Sequence, residues 1–280
     1  MKNKKCMLII ILSALIIMSG CHSKNSEEGS KEGYMGNKMA TEEQLEILKD
    51  SGLNSSEIEE IREKGMSLAT QSYVEVSQKM LSYLEEKYDT SFKIGGGSIP
   101  GLLSNDYSMT AYAVWGGKCP YEKFDVTYQT DKDGNGYFED GYFALLKSLE
   151  VQEELQNIAD EEGVDAKIIV SIETVVGKDY TKDVTIREAL KMGEYFHIYV
   201  DGFMSPDNSE KTFNDVAEKL AKEYEQTGLE LDYMMYRLLD GSLIEKVYTS
   251  KDLDIIFPDI TVSTEETYDL RYEREIGVVE

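Results

Sequence analysis

The longest apolar run in the sequence, Met7–Met18, sits at the extreme amino terminus, directly behind Lys2, Lys4 and Lys5. A helix crossing a ~30 Å hydrocarbon core needs about 20 apolar residues, so this run is too short to span a membrane. A positive start followed by a short apolar stretch is the pattern of a secretory signal. No comparable run follows it. The rest of the chain must therefore bury its apolar side chains by packing amphipathic helices and strands in water. A composition that is 41% hydrophobic and 10% aromatic is rich enough for such a core and argues against a wholly disordered chain.

The run ends in Met18-Ser19-Gly20-Cys21. This resembles the lipobox of bacterial lipoproteins of the Gram-positive type. Met18 stands where that family usually has Leu. The resemblance covers the first 21 residues. It implies that residues 1–20 are a lipoprotein signal peptide and that Cys21 is the lipidated residue. The expected location is the outer face of the cell membrane, held by a lipid anchor. Two acyl chains anchor stably where one would not. Residues 21–40 are rich in Ser, Lys, Glu, Gly and Asn and read as a flexible polar tether.

The 54 acidic residues outnumber the 29 basic ones, giving a net charge of −25 and an isoelectric point near 4.5. Losing residues 1–20 removes three lysines and no acid, so 26 basic residues remain and the charge becomes −28. Nucleic-acid binding needs clustered Lys and Arg and is excluded on this ground. Docking onto anionic lipid by charge is disfavoured too. Of Cys6, Cys21 and Cys119, the body keeps Cys119 alone, so no disulfide staples it. Cys119 lies in the Gly/Pro turn Gly116–Pro120 beside Lys118 and reads as a loop thiol rather than a nucleophile.

Capping boxes place several helix starts. Thr41 with Gln44, Ser56 with Glu59 and Thr185 with Glu188 open short helices. Tyr73, Val76, Met80, Leu84 and Tyr88 recur at helical spacing in a longer helix over 67–88. Gly95–Gly97 reads as a flexible break. Strands are expected over 107–115, 124–129, 167–176 and 195–201, and helices over 140–162 and 212–224. Asp240-Gly241 predicts a two-residue hairpin joining strands 231–238 and 243–249. The tail offers a strand near Thr261 and another near Tyr268–Tyr272.

This order predicts an α+β fold, with helices packed on short, mostly antiparallel sheets in one body or in two small subdomains. The expected divisions are a helical hairpin over 41–65 and α+β parts over 66–162 and 163–280. The first part is similar in element order to small secreted modules in which a long helix crosses a short antiparallel sheet, as in lipoproteins of Gram-positive bacteria.

Asp131-Lys132-Asp133-Gly134-Asn135-Gly136 resembles the opening of a calcium loop. Asp131, Asp133, Asn135 and Glu139 are the candidate Ca²⁺ ligands, with Asp140 as a spare donor. Position 12 is Tyr142 rather than a bidentate carboxylate, and the same residues suit a turn. Strand alternation puts Tyr195, His197 and Tyr199 on one face, a candidate binding strip. His197 and Cys119 are too few soft ligands for zinc. Acid pairs such as Glu59-Glu60, Asp160–Glu162 and Glu265-Glu266 admit a carboxylate-dependent extracellular hydrolase. No nucleophile or metalloprotease signature accompanies them. The expectation is a non-catalytic, lipid-anchored module that binds a protein or peptide partner of basic character, with no required cofactor. A calcium-binding or calcium-stabilised module and a hydrolase are the alternatives.

Overall fold

A computed structural model describes residues 38–99, 106–114, 119, 121–193, 196–225, 230–246 and 268–276. Cys21, Tyr195 and nearly all of the tether lie outside these residues, as does the expected strand at Thr261. Among the described residues no helix is long and apolar enough to cross a membrane.

The fold is α+β, with two four-stranded sheets. α1 (Glu42–Asp50) starts at the expected box, with Gln44 N–H donating to Thr41 Oγ1 at 3.2 Å and Thr41 N–H to Gln44 Oε1 at 3.0 Å. α2 (Ser55–Lys64) starts one residue before the expected cap, Ser56. Asn54 takes that place because its carbonyl accepts from the Ser56 and Glu57 amides, while Glu57 reaches back to the Asn54 amide at 2.8 Å. Gly65 closes α2, and Ser67 caps α3 (Leu68–Tyr88), whose buried stripe contains the five residues expected.

α3 lies on a meander of β1 (Phe92–Gly97), β2 (Tyr107–Ala113), β3 (Lys123–Thr130) and β4 (Gly136–Asp140), all antiparallel. β1 runs through the three glycines that read as a break. A Cβ on Gly97 would sit 2.4 Å from Tyr73 Oη, so the glycine lets the helix approach the strand. The Tyr73 hydroxyl donates to Ser51 Oγ at 2.7 Å, which ties α3 to the end of α1. β4 was not expected. It arises as the second arm of the hairpin whose turn is Asp131–Asn135.

α4 (Tyr142–Glu161) leads to the second sheet: β5 (Ala166–Glu173), β6 (His197–Met204), β7 (Glu230–Leu238) and β8 (Tyr268–Ile276), in that order. α5 (Ile186–Ala189), opened by the expected Thr185–Glu188 box, precedes β6. α6 (Glu210–Glu225) carries the chain from β6 to β7, which pair in parallel, whereas β5–β6 and β7–β8 are antiparallel. The hairpin expected at Asp240-Gly241 does not form. Asp240 Oδ1 instead accepts from the Ser242 amide at 2.9 Å and opens a 3₁₀ turn over Gly241–Lys246, with Ile244 buried. The antiparallel neighbour of β7 is β8, about thirty residues further on. One continuous cluster of buried side chains runs from Leu45 to Met235 and takes in both sheets.

Candidate functional site

Two polar clusters stand out, one buried and one open. The buried cluster joins the two sheets. Asp140, at the end of β4, makes reciprocal backbone hydrogen bonds with Val176 at 3.1 and 3.0 Å. Its carboxylate is fully buried and accepts from Lys87 at 2.7 Å, Tyr83 at 2.9 Å, Tyr88 at 2.7 Å and the Tyr142 amide at 3.0 Å. Lys87 also donates to the carbonyls of Val176 and Gly177 and lies over the rings of Tyr83 and Tyr88. Burial pushes the Lys87 ammonium below its usual range, against the pull of Asp140. Burial, then the Asp140 charge, pushes both tyrosine hydroxyls up. Asp140 is thus committed to this cluster and is not a spare calcium donor. The sequence held one signal for it: Lys87 falls on the apolar stripe of α3 beside Leu84 and Tyr88, where a charge demands a buried partner.

The open cluster lies on the outer face of the second sheet. β6 alternates as expected: Ile198 and Val200 point into the core, while His197 and Tyr199 face outward. The two rings stack at 4.2 Å. Asp232 on β7, beside Tyr199 in the register, accepts from His197 Nε2 at 2.8 Å, and the Tyr199 hydroxyl lies 3.3 Å from Nδ1. Glu173 on β5 sits opposite His197 and is exposed. Burial, then the charges of Glu173 and Asp232, pushes the Tyr199 hydroxyl up. One residue pair further along β6, Asp201 faces the same side. Among the described residues no hydrogen bond reaches its carboxylate, and partial burial raises it from 3.8 to about 6. Sequence reasoning found His197 and Tyr199. It missed Asp201, Glu173 and Asp232, because the last two come from other strands and strand pairing was not legible.

The Asp131 loop is a hairpin turn. Asp131 Oδ1 accepts from the amides of Asp133 and Asn135 at 2.9 and 2.8 Å, and Oδ2 accepts from Asn135 Nδ2 at 3.1 Å. The Asp131 carboxyl is held below its usual range by these bonds, Asn135 foremost. Glu139 lies in β4, opposite Thr127. Among the described residues no group of three or more His, Cys, Asp or Glu is arranged to hold a metal ion. A groove of about 630 Å³ between α4, β5 and the 3₁₀ turn carries Glu153, Asp165 and Glu245, with neither His nor Cys in its lining. Cys119 is half-buried, its thiol 3.8 Å from the Leu145 carbonyl.

No protein-family model matches the sequence, and no curated protein matches it. The fold is similar to the crystal structure of a DUF5037 family protein from Ruminococcus gnavus ATCC 29149, with 14% identity and a TM-score of 0.41 over 72% of this chain and 92% of that one.

Proposed function

We propose that this chain is an extracytoplasmic lipoprotein, anchored through Cys21, whose body binds a basic protein or peptide without chemical turnover. The observation that supports the binding reading is the outer face of the second sheet. Glu173 and Asp232 there flank one imidazole, and Asp201, four residues along β6 and paired with the buried Ile169, has hydrogen-bonding capacity to spare. A sheet face of this kind offers area and negative potential. Complementary charge speeds encounter with a cationic partner and weakens with salt.

The test for the anchor is metabolic labelling with a fatty acid. The parent chain incorporates the label and fractionates with the membrane, whereas Cys21→Ala does neither. The test for the face is binding of a fluorescent oligolysine peptide to the full chain. The double variant Glu173→Gln/Asp232→Asn is expected to weaken binding roughly tenfold at low salt, about the effect of losing two close charges. Equal affinity for parent and variant overturns the assignment of this face.

A further inference from the structure

The four outermost strands of the two sheets are β1, β4, β5 and β8. An open strand edge is a template for another strand, and proteins usually blunt it. Three of these four are blunted by visible devices. Along β5, the amides of Ile168, Val170 and Ile172 donate to Gln156 Oε1, Gln152 Oε1 and Ser148 Oγ of α4 at 3.0, 3.2 and 3.0 Å. β4 has five residues, and its last is bridged to Val176. β1 is bulged between Ile94 and Gly96, and α1 packs beside it through a Lys93–Glu46 ion pair at 2.8 Å.

β8 is also bulged, at Asp269, and α6 packs on it, but the bulge lies at its first residues and the rest of the strand is regular. It is nine residues long, contains neither Pro nor Gly, and keeps regular register from Leu270 to Ile276. Among the described residues it pairs with β7 alone. Its exposed side chains alternate in sign, Asp269, Arg271 and Glu273, rather than forming a barrier of one charge. We infer that the β8 edge docks a second copy of this chain, strand to strand and antiparallel, with Tyr272 on the two-fold axis.

The charge pattern selects that register. With Tyr272 opposite its own copy, Arg271 faces the partner's Glu273 and Glu273 faces the partner's Arg271. Asp269 would oppose Glu275, but Asp269 is already paired within the chain by Arg237, whose Nε donates to Oδ1 at 2.9 Å. At present Arg271 pairs with Glu273 on its own strand at 2.8 Å, with both side chains solvated. Such a pair contributes little and exchanges freely for a cross-strand one. Leu270 and Tyr272 are only partly buried against the core, so pairing would also cover their open flanks. A single strand edge is small beside standard interfaces, so the dimer is expected to be weak and concentration-dependent.

The experiment is sedimentation velocity of the full chain in density-matched detergent at physiological salt, over a rising concentration series. The parent is expected to pass from monomer to dimer. Arg271→Glu and Glu273→Arg alone should each raise the dissociation constant at least tenfold, because each sets like charges opposite. Mixing the two variants should restore dimer, since both cross-pairs are then of opposite sign, and the double variant should dimerise like the parent. Both positions are exposed, and circular dichroism checks that each variant folds. A parent that stays monomeric throughout overturns the inference, as do single variants that dimerise like the parent or a mixture that stays monomeric.

Discussion

The junction of the two sheets and the outer face of the second use the same ingredients: a carboxylate, a cation and tyrosine hydroxyls. At the junction, Asp140 accepts four hydrogen bonds and Lys87 spends its donors on Asp140 and two carbonyls. Nothing there is left to offer a ligand. On the outer face, His197 is held by Asp232 and Tyr199, while four residues along β6 Asp201 receives no hydrogen bond among the described residues. A polar network that closes on itself fixes geometry, and one left open keeps capacity for a partner. The difference assigns structure to the first cluster and recognition to the second.

The comparison breaks most directly at Asp140. Asp140→Ala leaves the Lys87 ammonium buried without its counter-charge and two tyrosine hydroxyls without an acceptor. Denaturant unfolding should register a loss of about 3–5 kcal/mol, as for other broken buried ion pairs. The double variant Lys87→Met/Asp140→Asn removes both charges and should cost clearly less than the single change. A small loss in Asp140→Ala would show that the junction does not depend on the pair.

Asp201 gives the opposite sign. Its carboxyl titrates near 6 in the folded chain, above the ordinary value of 3.8, because burial disfavours the anion. The folded state therefore holds a proton that the unfolded chain has released, and stability falls as pH rises from about 4 through 6. Above that window the whole penalty is present. Asp201→Asn should accordingly raise stability at pH 8 by about 2 kcal/mol and change little near pH 4, read by thermal unfolding across pH. Equal stability at pH 8 would mean that Asp201 is already satisfied and the face is less open than argued.

Local chemistry was legible in the sequence, and long-range pairing was not. Thr41 and Thr185 announce helix starts because capping is settled within four residues, while Ser56 misled because Asn54, two residues earlier, offers a competing cap. The alternation about His197 announced its outward face for the same reason. The Asp240-Gly241 hairpin failed because turn chemistry alone cannot reveal that β7 is held by β6 and β8. The glycine run in β1 misled because the close approach of Tyr73 that requires it comes from another element. Asp140 and Lys87 are 53 residues apart, and the pair forms because α3 packs across the sheet that β4 completes.

The finest contrast is between two single hydroxyls. Tyr88 donates to Asp140 Oδ1 at 2.7 Å in a buried site, and Tyr199 meets His197 Nδ1 at 3.3 Å on a wet face. Tyr88→Phe removes a charge-assisted bond that no water can replace and should cost about 1.5 kcal/mol. Tyr199→Phe keeps the stacked ring and lets water bond the imidazole, so its cost should stay within about 0.5 kcal/mol. Both follow from urea unfolding of the two variants beside the parent. If Tyr199→Phe proves the costlier change, the outer cluster is a structural element after all, and the division between the two regions fails at its most sensitive point.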